Sequence, residues 1–248
     1  MRFGEEIQAL PRRFAASERL TGTQDAGAIH VVAAALIDAR RRVLIAQRPA
    51  GKHLAGAWEF PGGKLEPGEA PAEGLERELR EEIGVTIGPP RPLLRLHHKY
   101  PSGEVLLDVW VVRRYRGRPR SLEGQTLRWC DRAALAAADL LPADRPILAA
   151  LRLPERLRSD STRHYRVVSA RELKALRRRP GLVGAACRSA AEAQAAAAAG
   201  ADFLALDPVL APGELAALCA RVAVPLFARG VALERAWSLG ATGINALV

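Results

Sequence analysis

The chain has 248 residues, enough for two modest domains, and 49% of them are hydrophobic, which excludes a disordered chain and makes packed cores the expectation. Its net charge of +10 is spread along the length: residues 28–152 carry 20 basic and 15 acidic side chains and residues 153–248 carry 13 and 8, so neither part is a basic arm. That balance suits anionic ligands such as nucleotides, and an aromatic content of 5% argues against a platform for stable nucleic-acid binding.

In chain order, residues 1–27 are polar and aperiodic, as expected of a flexible leader. A β-branched, Ala-rich strand is expected from Ile29 to Ile37, a turn at Asp38 to Arg42 and a second strand from Val43 to Gln47. A helix should open at Pro71, whose missing N–H costs nothing in a first turn, and stop at Gly84. Leu93–Tyr100 and Glu104–Arg114 read as an antiparallel pair around Pro101-Ser102-Gly103, and Leu127–Cys130 as a short strand. Asp131 and Asp144 are expected to cap two helices ending near Leu153. The prediction is a mixed sheet with helices on both faces. The arginines at 113, 114, 116, 118 and 120 read as a solvated strand end and loop.

After that the pattern changes. Ser169 should open a helix through Arg178, Leu182–Cys187 is a strand, and Ser189-Ala190-Ala191-Glu192 is a capping box opening an Ala-rich helix stopped by Gly200. Phe203–Leu206, Pro225–Ala228 and Ile244–Val248 are further short strands, separated by helices at Glu214–Arg221 and Leu233–Leu239. Strands recurring about every twenty residues between helices predict parallel βα units. Cys130, Cys187 and Cys219 are too widely spaced for a metal cage and fit a reducing cytoplasm. His97 and His98 fall on alternate faces of one strand, and His30 and His164 have no partner at ligand spacing. No apolar run of about 18 residues predicts a membrane span.

The chemistry concentrates between Gly63 and Val85. Within the helix, at about 100° per residue, Leu75, Leu79 and Ile83 form one stripe and Glu78, Glu81 and Glu82 the adjacent one. Carboxylates three and four apart repel unless a positive charge sits among them. Mg2+ or Mn2+, hard cations taking oxygen ligands, would meet that need and bridge to phosphates. A solvated acidic helix face is the bland alternative. The preceding Gly62-Gly63 loop and Arg77 argue against it.

The spacing Gly63, five residues, Glu69, seven residues, Arg77-Glu78-Leu79, one residue, Glu81-Glu82, one residue, Gly84-Val85 is identified as a Nudix box, and residues 29–153 resemble the MutT branch of that superfamily. The resemblance implies a Nudix α/β/α sandwich over residues 28–153 and metal-dependent pyrophosphohydrolysis of nucleoside triphosphates, 8-oxo-dGTP first among them. It implies attack at the β-phosphorus, releasing a nucleoside monophosphate and pyrophosphate. Glu78 would be the general base and Glu123 the second candidate. Glu78, Glu81, Glu82 and Glu123, with a backbone carbonyl at Gly62 or Gly63, would hold Mg2+, and Arg77 would orient the glutamates. Arg48, His53 and the run Glu59, Phe60, Pro61, Gly62, Gly63, Lys64 stand at the nucleotide-binding positions, with Arg48 reaching phosphate. Asp144 occupies the place where the family has a base-reading Asn. A protonated Asp could still donate to the base.

Residues 154–248 resemble the later half of a thiamine-phosphate-synthase barrel, through Val168-Ser169-Ala170-Arg171, the run Cys187 to Pro208, and Gly240-Ala241-Thr242-Gly243-Ile244. Only 96 residues follow residue 152, whereas an eight-stranded barrel takes at least about 200. The resemblance therefore implies a partial βα barrel that lacks the diphosphate- and metal-binding strands, with Arg229-Gly230-Val231 in place of the phosphate-gripping glycines and no synthase activity. Such a half barrel should dock on the first domain, form a homodimer or be marginally stable. Two other functions remain open: hydrolysis of a different diphosphate, such as a damaged thiamine precursor, and nucleotide sensing without turnover.

Overall fold

The computed structural model describes residues 27–154, 157, 164–176, 181–207, 210–229 and 245–247. Residues 1–26 of the expected leader and the helix expected at Leu233–Leu239 lie outside them.

Strand β1 (Ile29–Leu36) is buried on both sides from Val32 onward, which is why it reads as an unbroken apolar run. Four further short strands complete the pattern around it: β2 (Val43–Gln47), β3 (Trp58–Glu59), β4 (Gly62–Lys64) and β5 (Thr86–Ile87). The long hairpin is β6 (Arg91–Tyr100) and β7 (Gly103–Val112), followed by β8 (Tyr115–Arg116) and β9 (Thr126–Cys130). One sheet has the order β4-β1-β7-β6, with β1 and β7 parallel and the other pairs antiparallel. A second has the order β3-β2-β9, and β5 pairs with β8. The expected mixed sheet is present.

Helix α1 (Pro71–Ile83) covers one face, packing Leu75, Leu79 and Ile83 on Val32, Ala34, Leu36 and Trp110. Its boundaries are those the sequence predicts. Pro71 occupies the first turn, and Gly84 ends the helix at φ 70°, donating to the Arg80 carbonyl. Helices α2 (Arg132–Ala136) and α3 (Arg145–Arg152) cover the other face, with Leu135, Ile147 and Ala150 on Ala33, Ala35, Leu94 and Val109. Asp131 caps α2 by accepting from the Ala134 N–H at 2.8 Å. Asp144 does not cap α3: its carboxylate turns away from the helix and accepts from the Phe60 N–H at 3.2 Å. Asp108 lies fully buried in β7, bonded to Arg95 and to His30 Nε2, the latter at 2.7 Å. Burial works to raise that carboxyl, but Arg95 and His30 outweigh it and hold it below the usual range.

The later residues build β10 (Tyr165–Ser169), α4 (Ala170–Ala175), β11 (Leu182–Cys187), α5 (Ala190–Ala198), β12 (Phe203–Leu206), α6 (Pro212–Cys219), β13 (Leu226–Arg229) and β14 (Asn245–Leu247). The five strands pair in chain order and all in parallel, forming one sheet with β10 and β14 at its edges among the described residues. Helices α4, α5 and α6 pack on one face through Leu173, Ala193, Ala196, Leu215 and Leu218. Ser169 and Glu172 form a reciprocal capping box for α4. The box expected at Ser189 and Glu192 is half formed, because the Glu192 carboxylate accepts from the Arg188 N–H instead. The opposite face carries Tyr165, Phe203 and Phe227 with Leu157, and Ala149 and Leu153 at the end of α3 pack against it.

Candidate active site

Three chain segments converge beside β4. Ala33 of β1 pairs with Gly62, which brings the glycine loop against the sheet. A Cβ on Gly62 would sit 2.1 Å from the Val32 carbonyl oxygen, and one on Gly63 would sit 2.3 Å from Glu78 Oε2. Only glycines leave room for α1 to lay the Glu78 carboxylate on the β4 backbone.

Arg77 organises the acidic side chains. Its guanidinium forks onto Glu69, with Nε and Nη2 each 2.9 Å from a carboxylate oxygen, and Nη1 reaches Glu78 at 2.9 Å and Glu81 at 3.2 Å. Nη2 also donates to the Lys64 carbonyl at 3.0 Å. The positive charge that the carboxylate spacing requires is therefore supplied in part by Arg77, which shares itself between Glu78 and Glu81. Glu82 does not join them. Its Oε2 accepts from the Gly62 N–H at 2.9 Å. Burial pushes Glu82 up to about 7; the Gly62 bond opposes this, and the charges of Glu59 and Glu123 add to it.

Glu123 arrives from the loop after β8, fixed by Gln125. The buried Gln125 amide accepts from the Glu123 N–H at 3.1 Å and donates to the Glu82 carbonyl at 3.1 Å, tying the loop to the end of α1. Glu123 faces Lys52, whose Nζ is 3.8 Å from its Oε2. Among the described residues no three acidic, histidine or cysteine side chains already converge as a metal cage. The donor chemistry nevertheless fits a hard divalent cation: the Glu78 oxygens rest on Gly63, Glu82 meets the Gly62 N–H, and Glu81 and Glu123 supply further carboxylate oxygens from α1 and the loop after β8.

The nucleotide-binding candidates form a second group. Arg48 pairs with Glu59 through Nη1 and donates from Nε to the His53 carbonyl at 2.7 Å, so it braces its own loop. Glu59 is pushed up by burial, with Arg48 and Lys52 opposing. The His53 ring lies edge-on to Tyr100, centroids 6.3 Å apart, and Tyr100 meets His98 at 4.4 Å. The Phe60 ring belongs to the core, so that residue offers its backbone, and Pro61 is buried while Lys64 is exposed. Asp144 is buried and pushed up to about 7 by burial, opposed by the Phe60 N–H and reinforced by Glu59. Sequence reasoning missed Lys52 and the bracing role of Gln125. Lys52 carried one readable signal, its place in a glycine-bounded loop four residues after Arg48.

Residues 32–150 match the NUDIX domain family. Over 110 residues the chain is 38% identical to the 8-oxo-dGTP diphosphatase of Escherichia coli (strain K12), across 44% of this chain and 85% of that protein. Over 122 residues it is 41% identical to the CTP pyrophosphohydrolase of the same organism, across 48% of this chain and 88% of that protein. The solution structure of the E. coli ORF135 protein aligns with 37% identity and a TM-score of 0.46, covering 50% of this chain and 88% of that one. Among the described residues no helix is long and apolar enough to cross a membrane. Through this first half, with its Gly63-to-Val85 box wrapped around Arg77, the chain belongs to the Nudix family of pyrophosphohydrolases.

Proposed function

We propose that residues 28–153 form a Mg2+-dependent nucleoside triphosphate pyrophosphohydrolase that converts 8-oxo-dGTP to 8-oxo-dGMP and pyrophosphate in the cytoplasm, keeping oxidised guanine out of replicating DNA. The observation that carries the substrate is Asp144. A carboxyl pushed up to about 7 keeps its proton below that pH, where it offers one donor and one acceptor side by side. The oxidised guanine edge, an N7–H beside the O6 carbonyl, offers the complementary pair, whereas guanine presents two acceptors there. Cytosine also presents a donor and an acceptor side by side, at N4 and N3. CTP is therefore the second reading, supported by the 41% identity to a CTP pyrophosphohydrolase.

Glu78 is the proposed general base: it takes a proton from the attacking water as the new bond forms at the β-phosphorus. The bridging P–O bond then breaks toward the nucleoside monophosphate, and the water oxygen leaves in pyrophosphate. Arg77 holds Glu78 and Glu81 in place through its fork on Glu69. Mg2+ or Mn2+ held by Glu78, Glu81, Glu82, Glu123 and a Gly62 or Gly63 carbonyl would supply charge neutralisation to the phosphate oxygens. Arg48, His53, Glu59 and the Phe60-to-Lys64 backbone would frame the nucleotide, and Tyr100, whose ring lies edge-on to His53, would border the same space.

For residues 154–248 we propose a truncated thiamine-phosphate-synthase-like unit without synthase activity. The all-parallel strand order with helices on one face supports a partial βα barrel. The test of the first domain is steady-state hydrolysis of 8-oxo-dGTP, dGTP and CTP, with Mg2+ and with chelator, products identified by mass. The expected result is metal-dependent preference for 8-oxo-dGTP, with Glu78→Gln losing roughly a hundredfold or more in kcat. Turnover led by CTP would move the assignment to the second reading. Unchanged turnover in Glu78→Gln would remove Glu78 from the chemistry.

A further inference from the structure

We propose that Lys52, rather than Arg48, is the side chain that engages the polyphosphate of the substrate, and that in the free enzyme Glu123 holds it in reserve. The inference rests on the triphosphate-hydrolase reading above. Arg48 is already committed: Nη1 is paired with Glu59 and Nε donates to the His53 carbonyl, and its side chain is only 22% exposed. Releasing its side chain would strip Glu59 of its hydrogen-bonded partner and break the Nε contact with the His53 carbonyl that braces the loop. A half-buried carboxylate that loses its hydrogen-bonded guanidinium is left with a desolvation cost that the more distant Lys52 charge offsets only in part.

Lys52 is placed differently. Its Nζ stands 3.8 Å from Glu123 Oε2, both side chains are about half exposed, and its charge also reaches Glu59. An exposed pair of this length is held weakly and yields to a stronger partner. A triphosphate carries several negative charges against the one on Glu123, so an arriving substrate out-competes the carboxylate for the ammonium group. The same movement strips Glu123 of its positive neighbour and leaves it free to serve as a ligand or base. One short displacement thus pairs substrate arrival with completion of the acidic site. The loop between Arg48 and Ala57 is built to present Lys52 at its tip. Gly51, Leu54 and Gly56 all adopt positive φ, and the Lys52 N–H donates to the Pro49 carbonyl.

The test compares the wild-type chain with Lys52→Met, which keeps the alkyl stem, and Lys52→Arg, which keeps the charge. Each is measured for kcat and KM on the preferred triphosphate and for binding of a non-hydrolysable triphosphate analogue by calorimetry. Lys52→Met should raise KM and the analogue Kd roughly tenfold, the loss of one charge-assisted contact, with kcat within about twofold and an unchanged melting temperature. Lys52→Arg should recover most of that loss. Unchanged KM and analogue affinity in Lys52→Met would overturn the proposal, as would a loss that Lys52→Arg fails to recover. A wild-type chain that binds the analogue but hydrolyses no triphosphate would overturn the hydrolase reading alone, because analogue binding still decides Lys52. A chain that neither binds nor hydrolyses would overturn both.

Discussion

Asp144 concentrates base selection on one carboxyl. It is fully buried, its Oδ2 accepts from the Phe60 N–H, and burial pushes it up to about 7. Below that pH it carries a proton to donate, and above it the group only accepts. Selectivity for 8-oxo-dGTP over dGTP should therefore be greatest below about pH 7 and decline above it, while Asp144→Asn, a donor at every pH, should hold the ratio flat. The ratio of kcat/KM for the two nucleotides, followed from about pH 6 to about pH 9, measures this. A wild-type ratio that stays level would remove the Asp144 proton from base recognition. Folding also favours the neutral form. The stability Asp144 contributes is full below its unfolded value of about 3.9 and is lost as pH rises through about 7. Glu82, pushed up to about 7 by burial, acts in the same direction when no cation is bound.

The element that sets catalytic geometry is the junction of β4 with α1. Two adjacent glycines there do different work. Gly62, at φ 148° and against the Val32 carbonyl, is required by the backbone itself, whereas the three atoms nearest a Cβ on Gly63 all belong to the Glu78 carboxylate. Gly63→Ala should therefore fold, with little change in melting temperature, and displace Glu78. A shift of about an ångström in a reacting group costs roughly a hundredfold, so kcat/KM should fall by about that factor. Gly62→Ala should instead lower the melting temperature directly. Equal thermal damage from both substitutions would show that Gly63, like Gly62, is required by the fold and not only by the Glu78 carboxylate. Much of this junction was legible in the sequence. Pro71, Gly84 and the Leu75, Leu79, Ile83 stripe define α1 by local rules, and the box spacing marks the acidic face. Strands β3, β4, β5 and β8 were not legible, because two or three residues carry no periodicity and are strands only through their partners. Nor was the orientation of Asp144. Choosing between the N–H groups of its own helix and that of Phe60, 84 residues away in sequence, is a tertiary decision. Glu78, Glu81 and Glu82 do lie on adjacent turns of one helix face, but only the first two carboxylates gather, on Arg77 Nη1, while that of Glu82 turns to the Gly62 N–H.

At the scale of the molecule, α3 joins two structures. It begins beside Asp144, buries Ile147 and Ala150 in the first core, and lays Ala149 and Leu153 against the aromatic face of the parallel sheet. Tyr165, Phe203 and Phe227 pack edge-to-face there, with centroids 5.8 Å apart in each successive pair, and Leu157 is wholly buried among them. The docking on the first domain expected for a half barrel has its contacts on this face, through Ala149 and Leu153. The coupling has a measurable consequence. Leu157→Ala removes a fully buried side chain, which typically costs about 2–5 kcal/mol where the site cannot collapse. If α3 ties the two cores into one cooperative unit, thermal unfolding of the full chain should show a single transition that shifts as a whole in the variant, with nucleotide affinity weakened because Asp144 leads into the same helix. Two transitions, only one of which moves, would mean that the sheets unfold independently and that α3 is attached to the first core alone. The contact of Ala149 and Leu153 with the second sheet would then be too slight to influence how Asp144 meets a base.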